Sequence, residues 1–195
     1  MSGLLNQLDY ELFLDESKII SYKNQIDLIL DKIKIIFNES KKTFINLKLL
    51  YSAFEDGDSA ENFHSLCDGY APLIVLVKTK KRLVFGGYTE ASFASTKKQE
   101  GNKDDNAFIF SIDKMKTYEI EKGTIATTSF IDYGPVFSGF NNCNIYLYND
   151  FFSDQGNVAM KGDRFNTKED YEINGGEYKF ETQELEVYQV IYRDN

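Results

Sequence analysis

Glu184-Leu185-Glu186-Val187-Tyr188-Gln189-Val190-Ile191-Tyr192 is the stretch on which the fold turns. Successive side chains of a strand point to opposite faces, so Leu185, Val187 and Ile191 share one face while Tyr188, Val190 and Tyr192 share the other. A strand apolar on both faces is buried on both, which predicts a central place in a sheet. The carboxylates Glu181, Glu184 and Glu186 read as a solvated strand face rather than an acid/base pair.

Further strand candidates are Tyr178–Glu181, Asn144–Tyr148, Val136–Phe137, Thr117–Ile120 and Ala107–Ile112. Leu73–Val77, a Lys-rich turn and Arg82–Tyr88 read as a hairpin. Gly and Asn clusters at 101–106, 139–144 and 174–176 punctuate as turns. Phe44–Tyr51 carries a helical signal, and after Asp56-Gly57 a short helix is expected, with Asp58 as N-cap, Glu61 at the capping-box position and Gly69 past its end. The 13 Tyr and 16 Phe, with no Trp, suit pleated, half-buried surfaces. These elements predict an α+β architecture of two sheets with helices at one end.

The first forty residues carry a different period. Leu5, Leu8, Leu12, Asp15, Ile19, Tyr22, Ile26, Ile29, Ile33 and Ile36 are spaced alternately three and four apart, the pattern of a coiled-coil seam. The expectation is therefore an N-terminal coiled-coil helix over 1–43 that makes the chain a homo-oligomer, followed by a domain over 44–195. Two features point the other way: Asp15 interrupts the seam, and Phe13, Leu14, Ile20, Leu28, Leu30, Ile35 and Phe37 lie off it and widen the apolar stripe. An amphipathic helix laid on its own domain has the same signature.

The chemistry is sparse. His64 is the single histidine, and inside a capped helix beside Phe63 it reads as structural. Cys67 and Cys143 form no CxxC and fit a reducing compartment, cytoplasmic or nuclear. Gly86-Gly87 and Gly175-Gly176 make no phosphate loop. No catalytic constellation, cofactor or metal is expected, and the longest apolar run, Ala71–Val77, is too short for membrane insertion. A net charge of -9 opposes nucleic acid, yet Lys78, Lys80, Lys81, Arg82, Lys97, Lys98 and Lys103 give one region a local excess of positive charge. Lys78, Lys80, Lys81 and Arg82 form its densest part, a basic contact patch for acidic protein or, as the alternative reading, nucleic acid.

From Leu49 onward the residues resemble the TLDc domain. The resemblance rests on Leu49-Leu50-Tyr51-Ser52-Ala53, Asp56-Gly57, Phe63-His64 with Cys67-Asp68, and Phe85-Gly86-Gly87-Tyr88. It continues in Asn106-Ala107-Phe108-Ile109-Phe110-Ser111, Tyr133-Gly134-Pro135-Val136-Phe137 with Gly139, and Glu184 through Val190. It implies a β-sandwich of two antiparallel sheets flanked by helices, no established active site, a role in resistance to oxidative stress, and a protein partner such as a subunit of the vacuolar-type proton pump. Where relatives are often glycine-rich, after Gly139, this chain reads Phe140-Asn141-Asn142-Cys143-Asn144.

Overall fold

A computed structural model describes residues 13, 15–139, 143–158, 160–162 and 164–195. Its axis is the strand at the C-terminal end, β11 (Lys179–Asp194), into which the two expected strands Tyr178–Glu181 and Leu185–Tyr192 merge. β11 pairs with β2 (Leu73–Thr79) along Thr182–Gln189, with β1 (Lys42–Ser52) along Glu186–Asp194, and with β10 (Gln155–Val158) along Lys179–Glu181. The strand apolar on both faces is central.

The other strands are β3 (Val84–Thr89), β4 (Glu100–Lys103), β5 (Phe108–Ser111), β6 (Lys116–Glu119), β7 (Ile125–Ser129), β8 (Val136–Phe137) and β9 (Ile145–Tyr146). Among the described residues they make one antiparallel sheet in the order β4-β7-β8-β9-β10-β11-β2-β3-β5-β6, with β1 beside β11. The two separate sheets expected from the sequence are thus one. At 16 residues, β11 is long enough to serve both halves of the ladder, so the hydrogen bonding never breaks between them.

The halves nevertheless share a core. Val75, Phe85 and Ile109 pack in one cluster with Phe137, Ile145 and Val158. The approach is close enough that a Cβ on Gly87 would lie 2.5 Å from the Phe137 ring, a distance only glycine permits. Helix α3 (Ala60–Cys67) closes this core with Phe63 and Cys67. Its N-cap is Ser59, whose hydroxyl accepts from the Asn62 N–H at 3.1 Å; the cap expected at Asp58 falls one residue earlier.

Helix α1 (Lys23–Glu39) lies on the other face of the β11–β2–β3–β5 half. It has no internal Gly or Pro, and the Gln25 side chain accepts from the Tyr22 N–H at 3.0 Å, satisfying a donor at its start. Ile26, Ile29, Leu30, Ile33 and Phe37 are buried with Ile74, Leu76, Tyr88, Phe108, Phe110 and Val190. The expected division at 43/44 does not separate two packing units, because α1 and the strands after it build one core.

Phe44–Tyr51, expected as helix, is strand β1. Phe44, Leu47 and Tyr51 are buried where the strand pairs with β11, and tertiary pairing overrides a weak local preference. A short helix, α2 (Ala53–Asp56), follows it. No helix among the described residues is long and apolar enough to cross a membrane.

Candidate functional site

The registers of β7 to β10 align one residue from each strand. Thr128 lies opposite Val136, Val136 opposite Tyr146, and Tyr146 opposite Asn157. Phe137, Ile145 and Val158 alternate with this row and point into the shared core, so the row occupies the outer face of that half of the sheet. Tyr133, Tyr148 and Tyr178 stand around it. Ring centroids are 5.0 Å apart for Tyr133 and Tyr146, and 4.6 Å apart for Tyr146 and Tyr148, the second pair edge to face, the geometry aromatic quadrupoles favour.

Together with Gln99 and Cys143 these side chains enclose a concavity of about 270 Å³. Tyr148 and Tyr178 are 39% and 48% exposed, so the rings lie open at the rim while Val136 forms a buried floor. The Asn157 amide donates to the Tyr148 hydroxyl at 3.3 Å. Burial, and then the hydrogen bond it donates to Tyr133, push the Tyr146 phenol well above its ordinary value. Among the described residues, the lining holds no charged side chain.

His64 is tied to the loop that carries Tyr133. Its Nδ1 lies 2.6 Å from an Asp68 carboxylate oxygen, and its Nε2 lies 3.0 Å from the carbonyl oxygens of both Phe130 and Tyr133. Both ring nitrogens therefore face acceptors, and the histidine fixes the loop that carries Tyr133. Cys67 is fully buried; burial, with the Asp68 charge next, pushes its thiol far above the ordinary range. Neither group is placed as a nucleophile or base.

The other sequence-derived residues fall elsewhere. Of the seam, Ile19, Ile26, Ile29, Ile33 and Ile36 are buried within the chain's own core and Tyr22 is exposed. Leu5, Leu8 and Leu12 lie outside the described residues. The described part of the helix is the amphipathic helix laid on its own domain. On the basic hairpin, Lys80 pairs with Glu181 at 2.8 Å and Lys81 with Glu177 at 2.5 Å. Lys78 Nζ donates to the Lys18 carbonyl at 3.3 Å, and Arg82 stands at the turn with φ of 68°. Two of the four charges already face carboxylates, so the patch is less basic than the sequence suggests.

The reading of Glu184 and Glu186 as solvated is corrected: they are 4% and 1% exposed. Glu186 accepts from the Lys18 N–H at 2.6 Å, the Ser17 hydroxyl at 2.7 Å and the Tyr188 hydroxyl at 3.0 Å. Glu184 accepts from the N–H groups of Leu185 and Phe54 at 3.0 and 3.2 Å. Burial raises both carboxyls above the ordinary value despite these donors. Only Glu181 is on a solvated face.

The tyrosine face itself has no counterpart in the sequence reading. The sequence offers the strand candidates Val136–Phe137 and Asn144–Tyr148 and a density of tyrosine in 133–148, but not the register that brings these residues together. A family model described as the TLDc domain matches residues 13–191. No curated protein matches the chain.

Proposed function

The chain belongs to the TLDc domain family, a family linked to oxidative stress, and on that premise we propose that it is a non-catalytic protein-interaction domain of an oxidative-stress response. The observation that supports this reading is the tyrosine face: an uncharged, aromatic concavity on a part of the sheet that no described helix covers. Aromatic side chains with polar tips are the common anchors of protein interfaces. The groups that would serve catalysis are engaged otherwise, His64 in holding a loop and Cys67 in filling the core.

The first partner to test is the one the family resemblance implies, a subunit of the vacuolar-type proton pump. Affinity capture from oxidatively stressed cells, using the full chain and its Tyr146→Ala/Tyr148→Ala variant, should retain pump subunits with the first and lose them with the second. Equal capture by a folded variant would remove the tyrosine face from the interaction.

A further inference from the structure

We propose that the tyrosine face receives an uncharged, proline-rich peptide segment in polyproline II form, an inference that rests on reading that face as the interaction surface. Size gives the first argument. About 270 Å³ lies at the low end of the roughly 300–1,000 Å³ of small-ligand sites, a size that suits one or two side chains of something larger. The row Thr128–Val136–Tyr146–Asn157 crosses four adjacent strands, about 14 Å at the usual inter-strand spacing. An extended polyproline II segment covers that distance in about four to five residues at 3.1 Å each.

Chemistry gives the second argument. The chain carries 22 Lys and Arg and 31 Asp and Glu, yet among the described residues the lining contains none of them. Recognition of acidic or phosphorylated segments requires a cluster of cations, and the described lining residues provide none. Strand addition requires a free sheet edge, and this is a sheet face with neighbours on both sides of β8 and β9. A helix in a groove requires an apolar trough, whereas hydroxyls and amides from Thr128, Tyr146, Asn157 and Gln99 dominate here. Of the recurring modes of peptide recognition, the one that uses an aromatic groove studded with donors is binding of polyproline II. That helix makes no internal hydrogen bonds, so its carbonyls need donors. The Tyr148 hydroxyl, which is the acceptor in its contact with Asn157, and the second hydrogen of the Asn157 amide supply them, while the edge-to-face Tyr146–Tyr148 pair presents ring surface to proline.

The test uses the full chain and two sets of synthetic twelve-residue peptides with fluorescent labels. One set is uncharged with prolines at every third position, and the other has those prolines replaced by alanine. Anisotropy titrations should show binding by the proline set and at least about tenfold weaker binding by the alanine set, equivalent to 1.4 kcal/mol. Tyr148→Ala should weaken the proline set by at least about tenfold, as expected of an aromatic anchor, while Lys80→Ser/Lys81→Ser should leave it unchanged. Tyr148→Phe, which keeps the ring, guards against an unfolded alanine variant and should bind more tightly than it does. Equal binding of both sets that still depends on Tyr148 would overturn the proline inference and leave the face intact. So would failure of both sets while partner capture still depends on Tyr146 and Tyr148. Proline-set binding indifferent to Tyr148 would overturn the inference together with its assignment to this face.

Discussion

The two outer faces of this one sheet are built differently. Over β11, β2, β3 and β5 the outer face is aliphatic and aromatic, its Tyr88 and Tyr188 fully buried, and it is sealed by α1 through Ile26, Ile29 and Ile33. Over β7 to β10 it is tyrosine, threonine and amide, with Tyr148 and Tyr178 open to solvent. A face that the chain covers itself can exclude water, so its residues need only volume and shape. A face left at water while able to receive a partner needs side chains with an apolar body and a polar tip. The proposed function follows this difference, with structure on one face and recognition on the other.

The largest effect should come from the sealed face. Ile29 is fully buried beneath α1, and Ile29→Ala should cost about 2–5 kcal/mol, as aliphatic truncations in cores do. Urea titration would report it as a lower midpoint. A cost below about 0.5 kcal/mol, the range of exposed positions, would mean that α1 does not seal this face.

Part of this comparison was legible in the sequence, and the reasons for the rest are physical. Leu185, Val187, Tyr188 and Val190 announce a central strand because period two with both faces apolar admits no other placement. The isoleucines of 19–36 carry their period equally well for a zipper or for a helix on a sheet, since one helix does not encode what lies opposite it. Phe44–Tyr51 became a strand because β11 offers it a partner far along the chain. The tyrosine face is hidden for a further reason: β8 and β9 are two residues each, too short to show any period. Thr128, Val136, Tyr146 and Asn157 meet only through register.

A middle-sized effect concerns how the sealed side tolerates charge. Glu186 has a folded value raised above the unfolded 4.5, chiefly by burial. The native state therefore binds the extra proton, and Glu186 destabilises the fold progressively as pH rises above 4.5. Glu186→Gln should remove that slope, because the hydroxyls of Ser17 and Tyr188 can turn to accept from the amide. Glu172 has the opposite sign. Burial alone would raise it, but the Lys116 ammonium at 2.7 Å and the backbone N–H of Lys168 hold it at about 2. Its contribution is complete above 4.5 and is lost as pH falls toward 2. Unfolding free energies from pH 2 to 7 should give Glu186→Gln a growing advantage above 4.5, and Glu172→Gln a deficit that closes in acid. Profiles parallel to the unmodified chain would contradict both assignments.

The smallest effect on stability should come from the open face. Tyr148→Ala removes an exposed ring, the edge-to-face contact with Tyr146 at 4.6 Å, and the hydroxyl that accepts from Asn157 at 3.3 Å. An aromatic pair contributes about 0.5–1.5 kcal/mol where it is well packed. This one is partly solvated, and water can replace the Tyr148 hydroxyl as partner for Asn157, so the expected cost lies at or below about 1 kcal/mol. Urea midpoints for Tyr148→Ala and Ile29→Ala, measured side by side, place the two faces on one scale. A Tyr148 cost as large as that of Ile29 would make the tyrosines a second structural seal. A small cost, together with loss of partner capture, separates recognition from folding on this part of the sheet.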